Sequence, residues 1–119
     1  MSKHESIDYL EYPAHDLLSS KRFFEAVFDW TFTDYGAGYS AFEAKGLQGG
    51  GGFYKAALAS KSDQGAALAV FYSDDLASTQ AKIEAAGGNI VKPIFSFPGG
   101  RRFHFEEPSG NQFAVWTHE

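Results

Sequence analysis

An internal repeat constrains this chain more than any other feature of its sequence. An offset of 59 residues aligns the two halves without a gap through a first strand and a helix. The aligned pairs are Asp16 with Asp75, Leu17 with Leu76, Phe24 with Ile83, and Tyr12 with Phe71. Since the chain has 119 residues, two copies of the unit fill it. Neither copy can bury its own sheet face alone, so the two halves are expected to close against each other.

Each half has the pattern of one strand, one helix and three further strands. Acidic N-caps predict helices over 17–28, after Asp16, and over 76–86, after Asp74 or Asp75, with Gly87 and Gly88 ending the second. Alternation and β-propensity predict strands over 6–12, 31–35, 39–44, 51–55, 66–72, 89–97, 101–106 and 112–117. We therefore expect one α+β domain over 1–119, made of two βαβββ modules (about 5–57 and 65–118) joined by an exposed, flexible connection over 56–65.

Composition excludes several classes of function. A formal net charge of −5, with no basic cluster larger than Arg101–Arg102, argues against a nucleic-acid partner. With no cysteine, disulfides, thiolate metal sites and a cysteine nucleophile are excluded. The polar N-terminal residues and the lack of any apolar run of about 20 residues argue against a membrane location. A cytoplasmic location is expected.

Three segments together resemble one known family. They are DLLSSKRFFEAVFDW over 16–30, AAGGNIVKP over 85–93 and FEEPSGNQFAVW over 105–116. They are similar to motifs of the vicinal oxygen chelate superfamily, which contains glyoxalases, bleomycin resistance proteins and extradiol dioxygenases. Asp29 replaces the customary Gly of the first motif, and Ser109 replaces the customary Asp of the last. The resemblance implies two curved mixed sheets around a cavity, and a homodimer in which half-barrels complete each other across a two-fold axis.

The resemblance also implies four inward-facing positions that hold a divalent ion in metal-dependent members. In this chain they fall on Tyr9, Leu68, Ala114 and, where the alignment is least certain, Phe53 or Lys55. None of the first four named residues offers the imidazole or carboxylate that such an ion prefers. We therefore expect no metal and no other cofactor, and we assign Tyr9, Leu68, Ala114 and Phe53 as ligand-contacting positions.

Glu11 is the first candidate for chemistry. Strand alternation puts it on the same face as Tyr9, so it points into the cavity if Tyr9 does. It could serve as a general base or hold a cationic group of a ligand. The alternative is a carboxylate paired with a Lys or Arg at the cavity rim.

His104 is the second candidate, at a position where extradiol dioxygenases carry a cavity-facing Tyr. An imidazole exchanges protons near neutral pH, which suits a general acid or base. Arg102 shares its face and suits a carboxylate or phosphate, while Trp116 shares the face of Ala114 and is the first choice for a cavity aromatic. The alternative is a His–Arg pair that faces solvent.

The glycine-rich run over 46–52 is predicted to form a turn or an irregular sheet edge. A phosphate-binding loop would require a following helix, and the residues after this run have strand character instead.

Three functions remain open at this point. The first is a metal-free protein that binds a small organic molecule in the sheet cavity, as in the bleomycin-resistance branch. The second is an enzyme: a lyase, isomerase or dioxygenase-type enzyme with non-standard metal ligands such as Glu11 and His104, or a metal-free acid–base catalyst. The third is a subunit whose sheets serve assembly alone.

Overall fold

A computed structural model describes residues 2–119, and in them the predicted order of one strand, one helix and three strands occurs twice. The first module contains β1 (Leu10–Ala14), α1 (Leu17–Phe28), β2 (Thr31–Asp34), β3 (Tyr39–Ala44) and β4 (Leu47–Lys55). The second contains β5 (Ala69–Tyr72), α2 (Leu76–Ala85), β6 (Asn89–Phe97), β7 (Gly100–Glu106) and β8 (Gln112–His118). No helix in this range is long and apolar enough to cross a membrane.

Each module forms its own four-stranded mixed sheet. Sheet A has the order β1-β4-β3-β2, and sheet B repeats it as β5-β8-β7-β6. The first strand of each module pairs in parallel with the last, and the other pairs are antiparallel. Consequently β1 and β5 each lie at a sheet edge. The fold class is confirmed as α+β with two tandem βαβββ modules.

Both helices begin at the predicted caps. The Asp16 carboxylate accepts hydrogen bonds from the Ser19 N–H (3.2 Å) and the Ser19 hydroxyl (2.7 Å). Asp75, rather than Asp74, caps α2 by accepting from the Ser78 N–H (3.1 Å). Helix α1 ends at Asp29, whose φ of 59° is left-handed. Asp is one of the few residues besides Gly that adopts this conformation readily, which explains how it replaces the family's glycine.

The two sheets share one aromatic core. Phe24 of α1 lies 5.6 Å from Phe53 of sheet A and 5.4 Å from Phe113 of sheet B, between ring centroids. Phe23 lies 5.8 Å from Phe105 of sheet B. The face of each sheet that meets this core is called the inner face below, and the opposite one the outer face.

The glycine run departs from its prediction. Gly46 does lie in the β3–β4 turn, but residues 49–52 form the middle of β4, between β1 and β3. A β-carbon at Gly49 would collide with the Asp8 carbonyl, and one at Gly51 with the Leu10 carbonyl. The glycines allow neighbouring backbone and side chains to approach this central strand closely.

The connection between the modules is more firmly held than predicted. It contains a short 3₁₀ turn (Ser62–Gln64) and is fixed to the β7–β8 region. The Ser60 N–H donates to Asn111 Oδ1 (2.7 Å), and Lys61 Nζ lies 2.8 Å from Glu106 Oε2. Ser60 and Lys61 are half-buried, so the predicted flexible loop is in part a structural element.

Candidate functional site

The outer face of sheet A carries a hydrogen-bonded chain of two phenols and a carboxylate. Tyr9 Oη lies 2.5 Å from Tyr39 Oη, and the Tyr39 hydroxyl donates to Glu11 Oε2 at 2.9 Å. We call Tyr9, Tyr39 and Glu11 the tyrosine–carboxylate cluster. It exists because the neighbouring strand has no side chain at Gly52, where a β-carbon would collide with the Tyr39 hydroxyl.

Tyr39 stays protonated in this arrangement. Desolvation, together with its hydrogen bonds to Tyr9 and Glu11, raises the pKa of Tyr39 well above its ordinary value. Glu11 is exposed, and within residues 2–119 it has no Lys or Arg partner and its Oε1 accepts no hydrogen bond. The rim ion pair considered for Glu11 is therefore not formed in the described chain, and one carboxylate oxygen is free to accept a hydrogen bond.

The outer face of sheet B carries aromatic rings around one arginine. We call this surface the aromatic–arginine face, and its members are Tyr72, Phe95, Phe97, Arg102, His104 and Trp116. The Arg102 guanidinium carbon lies 5.9 Å from the centroid of the Phe95 ring and 5.8 Å from that of Phe97. Trp116 meets Tyr72 edge-on at 5.3 Å. Tyr72 and Phe95, on the two edge strands of sheet B, are 48% and 39% exposed, so this face presents apolar surface at both edges.

Arg102 and His104 are joined by a hydrogen bond. Arg102 Nε donates to His104 Nε2 at 3.2 Å, which requires an unprotonated Nε2 and therefore a neutral imidazole. Desolvation first, and then the positive charges of Arg102 and Lys92, lower the pKa of His104. At neutral pH the pair therefore offers one positive charge and a neutral ring.

The other predicted positions lie elsewhere. Phe53 of β4 is fully buried in the aromatic core. It and its cross-strand partner Tyr12 of β1 both lie on the inner face of sheet A. Phe53 therefore reaches neither outer face among the described residues, and its role as a ligand contact stays a prediction. Ala114 lies opposite His104 but is fully buried, and Leu68 is half-buried just before β5.

Within one chain the two outer faces do not meet. No hydrogen bond or aromatic contact of the described residues joins the tyrosine–carboxylate cluster to the aromatic–arginine face. The reason lies in the shared core, since both sheets turn their inner faces towards α1. Sequence reasoning grouped Tyr9 and Glu11 with Arg102, His104 and Trp116, and the structure places these residues in two separate groups. Tyr39 was missed because its neighbour across the sheet depends on strand register, which alternation alone does not give.

The family's last motif builds a buried polar network. Glu107 is 2% exposed, and its Oε1 accepts hydrogen bonds from the Ser20 hydroxyl (2.8 Å) and the Ser109 N–H (2.6 Å). Asn111 Nδ2 donates to Glu107 Oε2 (2.6 Å) and to the Pro13 carbonyl (2.7 Å). Burial raises the pKa of Glu107, although these donors oppose the shift. Glu107 thus ties the loop between β7 and β8 to α1 through Ser20, and Asn111 ties the same loop to β1 through Pro13.

The side chains at the family's metal-ligand positions do not suit a divalent ion. Among residues 2–119 no group of three or more His, Asp or Glu side chains converges. Tyr9, Leu68 and Ala114 occupy positions that the resemblance assigns to metal ligands, and Glu11 is the one carboxylate in the tyrosine–carboxylate cluster. Phenol, isobutyl and methyl side chains do not replace imidazole and carboxylate ligands.

Comparison with known proteins identifies the family. The model of the Glyoxalase/Bleomycin resistance protein/Dioxygenase superfamily matches residues 6–115. No curated protein matched the sequence.

The fold is similar to that of a glyoxalase-related enzyme from Fulvimarina pelagi, with 16% identity over 96% of this chain and 88% of that chain and a TM-score of 0.78. It is also similar to the fosfomycin resistance protein FosX from Mesorhizobium loti (16% identity, 98% and 95% covered, TM-score 0.75). An integron cassette protein of V. cholerae is 24% identical over 100% of this chain and 99% of that chain, with a TM-score of 0.66. This chain therefore belongs to the glyoxalase/bleomycin resistance protein/dioxygenase superfamily.

Proposed function

We propose that this protein binds a small planar organic anion on the aromatic–arginine face, without a metal ion. The observation that carries the proposal is the position of Arg102 between two partly exposed aromatic rings. Rings of this kind stack on planar molecules, and a guanidinium binds carboxylate or phosphate through paired hydrogen bonds.

The hydrogen bonds of Arg102 favour an anionic ligand. Its Nε is taken by His104, whereas its two Nη groups have no partner in residues 2–119. Two parallel N–H donors are therefore free to bind one carboxylate, and the neighbouring His104 adds no negative charge. The alternative of a purely solvent-facing pair does not account for the aromatic rings beside it.

We propose further that two copies complete the site. Both β1 and β5 have a free edge, and the outer faces expose apolar side chains such as Val70 and Tyr72. Two-fold pairing would place the tyrosine–carboxylate cluster of one copy over the aromatic–arginine face of the other. Glu11 would then accept a hydrogen bond from a donor group at the far end of the ligand.

The test uses 2-naphthoate as the probe and thermal unfolding as the readout. A ligand at a hundredfold excess over its Kd stabilises the folded state by about 2.7 kcal/mol, which corresponds to several degrees for a domain of this size. Arg102→Gln is expected to weaken naphthoate binding at least tenfold. Arg101→Gln is the matched control, because Arg101 is its exposed neighbour and points to the opposite face of β7.

Three results would overturn the proposal. The first is no stabilisation by naphthoate at millimolar concentration, and the second is an equal loss in the two arginine variants. The third is stabilisation by Zn²⁺, Ni²⁺, Mn²⁺ or Fe²⁺ that a chelator reverses, which would end the metal-free assignment. Sedimentation equilibrium tests the two-copy site, and a mass that stays at the 13.0 kDa of one chain would exclude it.

A further inference from the structure

A cavity opens mainly on the inner side of the sheets, and it adjoins the proposed site only at Tyr72. It has a volume of about 520 Å³ and lies between β1 and β5, beside the C-terminal end of α1. Its walls include Tyr12, Phe28, Trp30, Phe42, Leu47 and Phe71. Val70 and Tyr72 of β5 line it as well, so the cavity borders the aromatic–arginine face at Tyr72, whereas Arg102, His104 and Trp116 do not line it.

Stacked rings build the walls of this cavity. Phe28 lies parallel to Phe71 with centroids 4.0 Å apart, and Trp30 stacks on Phe42 at 4.3 Å. Each stacked pair joins the end of α1 to one of the two sheets, so the walls are held from both modules. Aromatic walls of this kind accept apolar molecules, and the volume falls within the usual range for small-molecule sites.

One charge lies at the edge of the cavity. Among residues 2–119, Lys45, in the turn between β3 and β4, is the single charged residue in its lining. It is exposed, and it has no acidic partner within residues 2–119. An apolar chamber with one available ammonium group complements a molecule that is apolar along its length and acidic at one end.

We infer that this cavity binds a medium-chain aliphatic carboxylate, with the chain among the aromatic rings and the acid at Lys45. An apolar ligand would make van der Waals contacts with wall atoms that have no packing partner in the empty cavity. Its carboxylate would stay near solvent and pair with the ammonium group, which avoids the cost of burying a charge.

The experiment titrates decanoate into the full chain and follows Trp30. Trp116→Phe leaves Trp30 as the single tryptophan, since the chain has two. Decanoate is expected to change the Trp30 emission with a saturable dependence. Lys45→Gln should weaken decanoate at least tenfold but leave decanol, the neutral analogue, unchanged. An equal effect on both compounds would exclude the ion pair with Lys45.

A filling variant tests the location. Ala69 lines the cavity from the inner side of β5, so Ala69→Leu is expected to weaken both decanoate and decanol at least tenfold. Ala67→Leu is the matched control, because Ala67 is exposed and lies outside the cavity. Unchanged decanoate binding in Ala69→Leu, with an unchanged melting temperature, would place the ligand elsewhere.

Two further outcomes would also overturn the inference. If decanoate does not bind and Leu47→Asp converts a dimer to a monomer, the cavity is an interface between copies. If Arg102→Gln weakens decanoate as much as naphthoate, there is one site and not two. Loss of naphthoate binding alone in Arg102→Gln would leave the cavity assignment intact, so the two proposals can fail separately.

Discussion

The hydrogen bond between Arg102 and His104 makes the imidazole a pH-sensitive part of the outer face. The pKa of His104 is lowered from its ordinary value of 6.5, so the unfolded chain takes up a proton at higher pH than the folded one. Stability from this residue is therefore complete above the ordinary pKa and is lost as the pH falls towards the folded-state value.

The first prediction concerns how the stability of the folded chain depends on pH through His104. Replacing His104 by Gln should flatten the dependence of melting temperature on pH between about pH 7 and about pH 5. His4→Gln changes an exposed histidine outside both sheets and is the control. A steeper profile in His104→Gln, or equal changes in the two variants, would contradict the assignment of a lowered pKa to His104.

A glycine series gives the second prediction. A β-carbon at Gly52 would push away the flexible end of Tyr39, whereas one at Gly51 would meet the Leu10 carbonyl and the Phe42 ring. Gly52→Ala should lower the free energy of unfolding by about 1–2 kcal/mol through lost hydrogen bonds. Gly51→Ala should lower it by about 3 kcal/mol, since backbone cannot move aside as easily.

Gly38→Ala is the control for this series, because nothing lies within 4 Å of the added carbon. It should leave the free energy of unfolding unchanged or raise it by about 0.5 kcal/mol. Urea denaturation measures all three variants. A cost at Gly38 equal to that at Gly51 would show that the series reports loss of chain flexibility and not close contact.

The sequence predicted the face that a side chain occupies where the alternation within a single strand determines it. Alternation within a strand put Tyr9 and Glu11 on one face, and the structure agrees. It did not identify Tyr39, because that neighbour comes from another strand through a register. The orientation of Phe53 depends on register for a related reason, since a shift of one position along β4 moves a side chain to the opposite face.

At the scale of elements, the β7–β8 loop holds the two modules together. Its side chains bond to the Pro13 carbonyl beside α1 and to the Ser60 N–H in the connection. Both hydrogens of the Asn111 amide are used, one by Pro13 and one by Glu107, and its oxygen accepts from Ser60. Every polar atom of this buried side chain has a partner.

Asn111→Asp is the third prediction. The change replaces a donor by an oxygen that faces the Glu107 carboxylate and the Pro13 carbonyl, so it should cost about 3–5 kcal/mol. Asn89→Asp is the control, because Asn89 is exposed at the start of an edge strand. Chemical denaturation compares the two. A loss in Asn111→Asp no larger than in Asn89→Asp would show that the network contributes little to stability.

Most helices and strands could be predicted from the sequence, because interactions between residues close in the chain determine them. Asp16 and Asp75 cap their helices through hydrogen bonds to residues three positions away, so both helix starts were predictable. The strands β1 and β5 begin several residues later than predicted, because their ladders start at Leu10 and Ala69. Which faces share the core depends on packing between modules, and no short segment contains that information.

On the scale of the whole molecule, α1 couples the two repeats. Its aromatic side chains contact both sheets, so removing one of them opens contacts in both modules. A chain built from independent modules would instead confine such a loss to the module that was changed. The single-domain organisation expected from the sequence therefore makes a measurable claim about cooperativity.

Phe24→Ala tests that claim as the fourth prediction. Phe24 is fully buried and contacts Phe53 in sheet A and Phe113 in sheet B, so its loss should cost about 3–5 kcal/mol. Native-state hydrogen exchange should show the same loss of protection in the slowest amides of β3–β4 and of β7–β8. Leu18→Ala is the control on the exposed side of α1, where Leu18 is 52% exposed, and it should change protection in neither sheet by more than about 1 kcal/mol. If β7–β8 kept its protection while β3–β4 lost it, the modules would be separate folding units, and the shared core would be a contact between two domains.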